Sequence, residues 1–439
     1  MNTAAAPNTR AGRLAARLAA TETRLSGLVL PDSAGWLARA RAAALGRVKA
    51  MGLPGKRDEY WRFTDPADLL TPEAKPAEVF QITDEPEMFM GIDRLKIVFV
   101  DGVFSPDDSD PLDGEGLEIT RLSDVAATDI HWAQDLYGTL EAEGQAPVQR
   151  PMAALNTARA TDGILIRVTA AVTRPVSLVY QRRGDCADLI LHHLIRVEGG
   201  AQMTLLENGP GAARASIVTE VELADDAQLH HVRAMGRDHQ RRAHTHMFAR
   251  LGARAQFKSF TLTMNGALVR NESMVWLNGE NGVAHLAGAA LGDGMFHHDD
   301  TVFVTHAAPG CESRQVFKKV LHHGAVGVFQ GKILVKQPAQ LTDGYQLSQS
   351  LLMDDACQFL AKPELEIYAD DVKCSHGSTS GEIDTDQLFY LRARGVPEDE
   401  AKQLLILAFL AEALDEIERQ DLAEDMRLRL KRWLNRHAD

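Results

Sequence analysis

A thiol and an imidazole lie two residues apart in the stretch PELEIYADDVKCSHG, which covers residues 363–377. Leu365 and Ile367 alternate with charged residues there, as in a strand with one apolar face. If the chain remains extended through Cys374 and His376, both side chains point to the same face, because side-chain direction alternates along a strand. A thiolate and an imidazole on one face can share a soft metal such as iron or zinc.

Three interpretations of this pair are open on the residues alone. Cys374 and His376 could be two ligands of a metal site, which two ligands do not complete. The imidazole could instead lower the pKa of the thiol. The third interpretation is structural, a buried cysteine packed beside a histidine.

The other cysteines lie far from this pair in sequence and form no CxxC motif; the full set is Cys186, Cys311, Cys357 and Cys374. Iron–sulfur centres usually need four thiolates, so this chain cannot hold a complete cluster within itself. A disulfide framework is not expected in a chain of this length, and a reducing compartment is the default.

Several histidines occur as adjacent pairs, at 192–193, 230–231, 297–298 and 322–323. Adjacent residues on a strand face opposite ways, so each pair supplies at most one ligand to any one site. His244 and His246 do share a face, and we expect them either to be solvated on the exterior of a β structure or to hydrogen-bond across its rungs.

A polysaccharide lyase or hydrolase is the alternative class of function. That chemistry needs paired carboxylates or an acidic calcium groove. The adjacent acidic pairs Asp299/Asp300 and Asp370/Asp371 stand beside histidine and cysteine, which does not favour it. The sequence has no GxSxG, HExxH or GxxxxGK[ST] motif, so we predict that this chain has no nucleotide-binding loop of its own.

The composition restricts the partners. The 439 residues carry a net charge of −14, which disfavours both nucleic acid and anionic membrane surfaces. Arg10, Arg13 and Arg17 interrupt the N-terminal stretch, so it lacks the apolar core of a signal peptide. No window of about 18 apolar residues occurs. We therefore expect a cytoplasmic protein.

Three regions follow from the patterns. Residues 1–160 predict a helical and mixed domain, with two helices broken near Pro31 and Ser33 as the cap of the second. Within it, residues 95–100 and 103–104 predict two strands, and residues 106–116 a loop.

Residues 161–377 predict a parallel β-helix. Short apolar or alternating runs follow one another between Gly, Asp and Asn turns, and a weak repeat places alanines at 201, 227, 255 and 284, with a last copy at 354–359. Near-regular short strands are typical of a solenoid. A β-sandwich is the second choice for this region.

Residues 378–439 return to helix. Asp384 is the predicted cap of the first helix, and Pro397 begins a second whose apolar stripe contains Leu404, Ala408 and Leu414. Apolar residues outside that stripe, Ile406, Leu407, Phe409 and Leu410, favour either a partner surface or burial within the chain.

Longer stretches resemble the SufB/SufD family of iron–sulfur cluster assembly proteins. These stretches are GLPGKRDEYWRFTDP (52–66), HHDDTVFVTHAAPGCESRQVFKKVL (297–321), GKILVKQPAQLTDGYQLSQSLLM (331–353), KPELEIYADDVKCSHG (362–377) and LFYLRARGV (388–396). The RDEYW element is similar to the D-type branch of that family.

The resemblance implies a mainly-β fold, a right-handed parallel β-helix flanked by N-terminal and C-terminal α-helical domains. It implies a non-catalytic scaffold that pairs with a SufB-like paralogue through the β-helix. It implies that the C-terminal helices bind the ATPase SufC, and that an isolated chain forms a homodimer.

The resemblance also places His376, with Cys374 beside it, at the interface with the SufB-like chain. There the two residues would support a transient cluster together with partner cysteines, and this chain would hold no cofactor stably by itself. Any flavin (FAD or FADH2) would belong to the whole assembly. Ser378-Thr379-Ser380 departs from the usual continuation of the motif but keeps small residues.

Overall fold

The computed structural model describes residues 9–79, 86–126, 128, 131–209, 211–236 and 238–436. Residues 1–8, part of the stretch on which the expectation of a cytoplasmic protein rests, lie outside the described residues. No helix in the described part of the chain is both long and apolar enough to cross a membrane.

Strands account for most of the regular structure. In chain order they are β1 Leu95–Val100, β2 Val103–Phe104, β3 Asp113–Gly114, β4 Leu117–Arg121, β5 Ile164–Val168, β6 Val176–Gln181, β7 Asp188–Val197, β8 Gln202–Asn208, β9 Arg214–Leu223, β10 Gln228–Met235, β11 Arg242–Leu251, β12 Gln256–Met264, β13 Leu268–Leu277, β14 Val283–Asp293, β15 His297–His306, β16 Glu312–His322, β17 Val326–Val335, β18 Thr342–Leu352, β19 Gln358–Ile367 and β20 Val372–Gly381. The predicted strands at 95–100 and 103–104 are confirmed as β1 and β2. The predicted loop at 106–116 is wrong in part, because it contains β3.

Helices lie before and after the strand-rich region. They are α1 Arg10–Leu25, α2 Gly35–Met51, α3 Leu122–Val125, α4 Thr139–Glu143, α5 Pro151–Arg159, α6 Thr385–Arg392, α7 Glu398–Leu414 and α8 Gln420–Arg436, with 3₁₀ turns at Glu59–Trp61, Ala67–Leu69 and Trp132–Asp135.

From β5 onward the chain alternates between two sheets. Even-numbered strands from β6 to β20 pair in parallel in sheet A, and odd-numbered strands from β5 to β19 pair in parallel in sheet B. One strand of each sheet makes one rung, and the rungs stack into a solenoid of about seven turns. The predicted mainly-β fold with a parallel β-helix between helical segments is confirmed.

The space between the two sheets is filled by every second residue of each strand. In sheet A, Met203, Leu229 and Phe257 form one interior column, because β8, β10 and β12 pair in register. A single rung has no second layer to cover it, so stacking is what buries these side chains.

The repeat seen in the sequence matches this stacking only in part. Ala201, Ala227 and Ala255 each precede a sheet A strand and stack in register. Ala284, however, pairs with Phe257, two positions further along. The last copy, at 354–359, leads into β19 of sheet B, so it is not the fifth member of the same column.

The outer faces of the two sheets are covered by different helices. Helices α4 and α5 pack on β7, β9 and β11 of sheet B. Helix α7 packs on β14 and β16 of sheet A, in a second core that includes Trp433 and Leu430 of α8. Each sheet is therefore covered on both faces in its middle strands, as parallel sheets usually are.

Local helix predictions met mixed outcomes. Asp384 caps α6 as predicted, since its carboxylate accepts from the backbone N–H groups of residues 386 and 387. Ser33 is not the cap of α2, which begins after Ala34 with no side-chain cap among the described residues. The predicted stripe of α7 is also wrong in part, because Leu404 is exposed while Ile406 and Leu410 are buried.

The two ends of the solenoid differ. At the first end, β2 runs antiparallel to β1, and the β3–β4 hairpin runs antiparallel to β5, so short strands cover both sheets. At the last end, β19 and β20 each pair with one neighbour and are the final strands of their sheets. Among the described residues no strand pairs with their outer edges, so the backbone N–H and C=O groups on that side lie outside the ladder.

Candidate functional site

Cys374 and His376 lie on β20, the last strand of sheet A. The strand is extended through both residues, as the motif predicted, and they pair with Gly344 and Gln346 of β18. Gln346 is fully buried, whereas His376 on the terminal strand is exposed. The structure thus places the pair at the open end of the solenoid, on one side of one strand.

The thiol of Cys374 packs inward. It lies against an apolar cluster that includes Ile333, Val335 and Ala339. A Cβ atom at Gly344 would stand 3.3 Å from its Sγ atom, so the glycine leaves the space that the sulfur occupies. Burial raises the pKa of Cys374, and the Gly344 backbone N–H only partly offsets this.

The raised pKa argues against the second of the three interpretations, in which the imidazole of His376 lowers the pKa of the Cys374 thiol. A thiol activated by a neighbouring imidazole would have a lowered pKa. The pKa of Cys374 moves in the opposite direction, so the isolated chain carries it as a neutral thiol near pH 7. Binding to a metal would therefore require loss of its proton.

The last rung is also where apolar side chains reach solvent. Leu341, Ile367 and Tyr368 are 64%, 40% and 60% exposed. They stand where β17 leads into β18 and β19 leads into β20. We call β19, β20 and Leu341 the terminal edge. Strands that are paired on one side only, together with exposed apolar side chains, are typical of a protein–protein interaction surface.

A second cluster of possible metal ligands lies far from this edge. Within the described residues, one group of three donors has its ligand atoms within 4.8 Å of one another, formed by His244, His246 and Glu272 on the outer face of sheet B. His244 and His246 share a face as predicted, but the first alternative, that they are solvated, is wrong, because both are buried. The helical segment over sheet B covers them.

The surroundings of Glu272 favour an ion network over a metal. Arg150 and Arg270 donate to its two carboxylate oxygens at 3.1 and 2.9 Å. Burial acts to raise the pKa of Glu272, but the charge of Arg270 and further donors hold it well below its usual value. A divalent cation would add charge beside two guanidinium groups. The cluster instead joins Arg150 of the N-terminal segment to the solenoid wall.

The adjacent histidines face opposite ways, as predicted. His192 points outward and contacts Glu220 at 2.7 Å, whereas His193 points inward to Tyr180 at 3.0 Å. The sequence did not predict that inward-facing polar residues of successive strands would bond to one another inside the solenoid. They make one interior polar chain across successive rungs, built from Tyr180, His193, Glu207, His231, Arg233, Thr245, Asn271, His298, Asp300 and Lys319.

The acidic pairs do not form a carboxylate site for carbohydrate chemistry. Asp299 points outward, where it binds Arg270 and accepts from Thr64 at 2.6 Å. Asp300 points inward and pairs with Lys319 at 2.7 Å. The two carboxylates thus lie on opposite sides of one strand, and each is neutralised by its own cation. Asp370 and Asp371 are exposed in the turn before β20.

The C-terminal helices present a second exposed apolar surface. Helix α6 has no buried residue, and its Phe389 and Tyr390 are 73% and 55% exposed. It packs on α7, whose Leu404 is 45% exposed. Exposed aromatic and aliphatic side chains on packed helices are typical of a protein-binding surface.

Comparison with known families agrees with this arrangement. Residues 180–409 match the family described as "SUF system FeS cluster assembly, SufBD core domain", and residues 24–178 match the "SufBD protein N-terminal region". The chain belongs to the SufB/SufD family. The core match spans the solenoid from β6 onward together with α6 and most of α7, so it covers both the terminal edge and the exposed helices.

Individual relatives cover almost the whole chain. The iron–sulfur cluster assembly protein SufD of Escherichia coli is 29% identical over 88% of this chain and 90% of its own length. A SufBD family protein of Synechocystis is 29% identical over 87% of each chain. SufD of Bacillus subtilis is 24% identical over 87% of this chain and 90% of its own length. The chain is thus similar to SufD over most of its length and is an iron–sulfur cluster assembly protein of the SufB/SufD family.

Proposed function

We propose that this chain is the SufD-type scaffold subunit of a SufB–SufC–SufD assembly, and that it pairs with a SufB-like chain through the terminal edge. One observation supports this most directly: the motif strand β20, with Cys374 and His376, is the open final strand of sheet A. A partner strand added to β20 would continue the parallel ladder and cover both side chains.

The nascent cluster is cargo in this proposal, held between the two subunits. This chain offers an imidazole at His376 and a thiol at Cys374, and the partner supplies the remaining thiolates. Because burial raises the pKa of Cys374, the thiol joins only as it loses its proton, whereas the imidazole of His376 is exposed on the last strand. We infer that His376 carries more of the function than Cys374.

The exposed surface of α6 and α7 is the proposed docking site for the ATPase SufC. Phe389, Tyr390 and Leu404 supply the apolar contacts that a helical surface of this kind needs. We propose that this chain is not itself an enzyme, that the assembly is cytoplasmic, and that any flavin belongs to the complex.

Co-expression with the SufB-like and SufC chains tests the site. We expect His376→Ala to lower iron and sulfide in the purified complex at least about tenfold, and Cys374→Ser to lower them less. His131→Ala and Cys186→Ser are the matched controls, since His131 lies in the N-terminal domain and Cys186 is an exposed cysteine outside the terminal edge. A normal cluster yield with His376→Ala would remove this residue from the proposal.

A separate pair of variants tests ATPase docking. Leu404→Glu places a charge on the proposed surface, while Leu428→Glu makes the same change at a leucine of α8 that is 42% exposed. We expect the first variant to lose SufC in co-purification and the second to retain it. Equal retention by both would place SufC elsewhere.

We also propose that the isolated chain forms a homodimer through the same terminal edge. Ile367→Lys with Tyr368→Lys should give a monomer by light scattering while leaving the circular dichroism spectrum unchanged. A dimer that survives both lysines would use another surface.

A further inference from the structure

The RDEYW element forms a strap across the outer face of sheet B. The strap comprises residues 58–64, with a 3₁₀ turn at Glu59–Trp61. It crosses the strands instead of running along them. Trp61 stacks edge-on against His244 of β11 at 5.3 Å, and Arg270 of β13 lies over its ring at 4.2 Å.

Further contacts carry the strap toward the last rung. The centres of the Tyr60 and Phe303 rings are 5.1 Å apart, and Phe303 lies on β15. The backbone carbonyl oxygen of Tyr60 accepts a hydrogen bond from the side chain of Gln330 of β17 at 3.2 Å. The Tyr60 hydroxyl then donates to Glu364 of β19. A single buried tyrosine thus touches three successive strands of sheet B, and the last of them is a terminal strand.

Glu59 adds a second contact to β19. Its carboxylate pairs with Lys362 at 2.7 Å, and that ammonium also lies 4.0 Å from the centre of the Tyr60 ring. At its other end the strap is held by Arg17 of α1, which donates to Asp58 at 3.1 Å. The strap therefore links the N-terminal helices to the open rung.

Strand β20 is held differently. The side-chain bonds of its residues Ser378 and Thr379 run to its neighbour β18 at 3.0 and 3.3 Å. Strand β19 has its ladder to β17 and the strap as well. Strand β20 can therefore serve as a control for β19, because the strap contacts β19 and β20 is held through β18.

We propose that the strap is a positioning element for partner docking: Glu59 and Tyr60 hold β19 in the flat, extended form that a partner strand can pair with. The inference rests on the proposed function, because it takes the terminal edge as the SufB-facing surface. A terminal strand with one free edge opens more easily than a central one. Binding to a strand that is only partly ordered is weakened by the fraction of time it is ordered.

Hydrogen exchange on the isolated chain tests the first half of the inference. In Tyr60→Phe combined with Glu59→Gln, we expect the amides of β19 that donate to β17 to exchange about tenfold faster. Strand β20 and the central strand β11 should keep their rates. Arg57→Gln, an exposed position just outside the strap, is the matched control.

A second set of variants keeps the test valid if the strap variant unfolds. Lys362→Met with Glu364→Leu removes the partners of Glu59 and of the Tyr60 hydroxyl from the β19 side and leaves the strap sequence unchanged. The same local increase in exchange supports the strap. Unchanged exchange in β19, or an equal increase in β11, would overturn it.

Affinity for the purified SufB-like chain tests the second half. Tyr60→Phe should weaken binding about three- to tenfold, and because Tyr60 is only 8% exposed, most of that loss must act through β19 and not through a direct contact. Loosened β19 with unchanged affinity would refute the docking role. If the wild-type chain itself fails to bind, the proposed function fails, while the exchange result still decides whether the strap holds β19.

Discussion

Removing the ammonium of Lys319 should destabilise the solenoid from within. Lys319 is 1% exposed, and its Nζ atom lies 2.7 Å from Asp300 Oδ2 and 2.8 Å from His298 Nδ1. Burial acts to raise the pKa of Asp300, but its two partners, His298 and Lys319, outweigh it, so the pKa is lowered. Burial lowers the pKa of His298, which is therefore neutral near pH 7, and Lys319 is the cation that matters.

The size of the effect follows from the geometry. At 2.7 Å and an effective dielectric constant of about 20, the attraction between two unit charges is about 6 kcal/mol. Desolvation of both ions offsets much of it in the intact pair. Lys319→Met leaves Asp300 buried without a counter-ion, a change that typically costs about 3–5 kcal/mol. For a chain of 439 residues unfolding as one unit, this lowers Tm by about 3–5 °C.

A double-mutant cycle provides the assay. Urea unfolding of Lys319→Met, Asp300→Asn and the double variant should show that the double variant loses less stability than the two single losses added together. Lys373→Met on exposed β20 is the control and should change the free energy of unfolding by less than about 0.5 kcal/mol. A coupling energy near zero, or an unchanged Tm for Lys319→Met, would refute the argument.

Three further perturbations have defined outcomes. Burial lowers the pKa of His306 from 6.5 to about 4 in the folded chain. As pH falls, the imidazole therefore takes up a proton in the unfolded chain first, and stability is lost between about pH 6.5 and 4. His306→Gln should reduce the slope of the free energy of unfolding against pH in that range by about 1.4 kcal/mol per pH unit. Gly331→Ala would bring a Cβ to 2.3 Å from Gln346 Nε2 and should cost about 1–3 kcal/mol by urea unfolding, whereas Gly381→Ala meets nothing within 4 Å and should be neutral. Asp384→Ala removes the cap of α6 and should cost that helix about 1 kcal/mol, seen as faster hydrogen exchange in α6 alone.

The solenoid could be predicted because its physical cause is local. Each rung needs apolar residues at every second position and a turn at each end, and both features are visible in a single strand such as Met203–Leu206, whose Met203 and Leu205 face the interior. The predictions failed where the position or burial of a residue depends on neighbouring elements and not on its own strand. Ala284 is one example, because it lies within β14 opposite Phe257, whereas Ala201, Ala227 and Ala255 each stand just before their strand.

Burial of polar residues could not be predicted from their types. His244 and His246 stand at outward positions, which predicts solvent unless another element covers them, and the covering segment comes from more than a hundred residues earlier in the chain. The stripe of α7 failed for a related reason. The helix is apolar on several sides, and which side is buried depends on sheet A and α8, so Ile406 and Leu410 face the core instead of Leu404.

The shared side-chain direction of Cys374 and His376 could be predicted from the sequence, but the exposure of their strand could not. Spacing alone placed Cys374 and His376 on one face of a strand. Whether that strand lies in the middle of the stack or at its limit depends on how many rungs follow, and the chain turns to helix at residue 385.

The unequal ends of the stack limit how far this chain can assemble. At the first end the outermost strands of the described chain are β2 and β3, which have two residues each and run antiparallel to their neighbours, so they leave a partner little ladder to extend. The ten-residue strands β19 and β20 at the last end offer a much longer ladder. The architecture therefore favours pairs joined tail to tail over fibres, which need two adhesive ends on each chain.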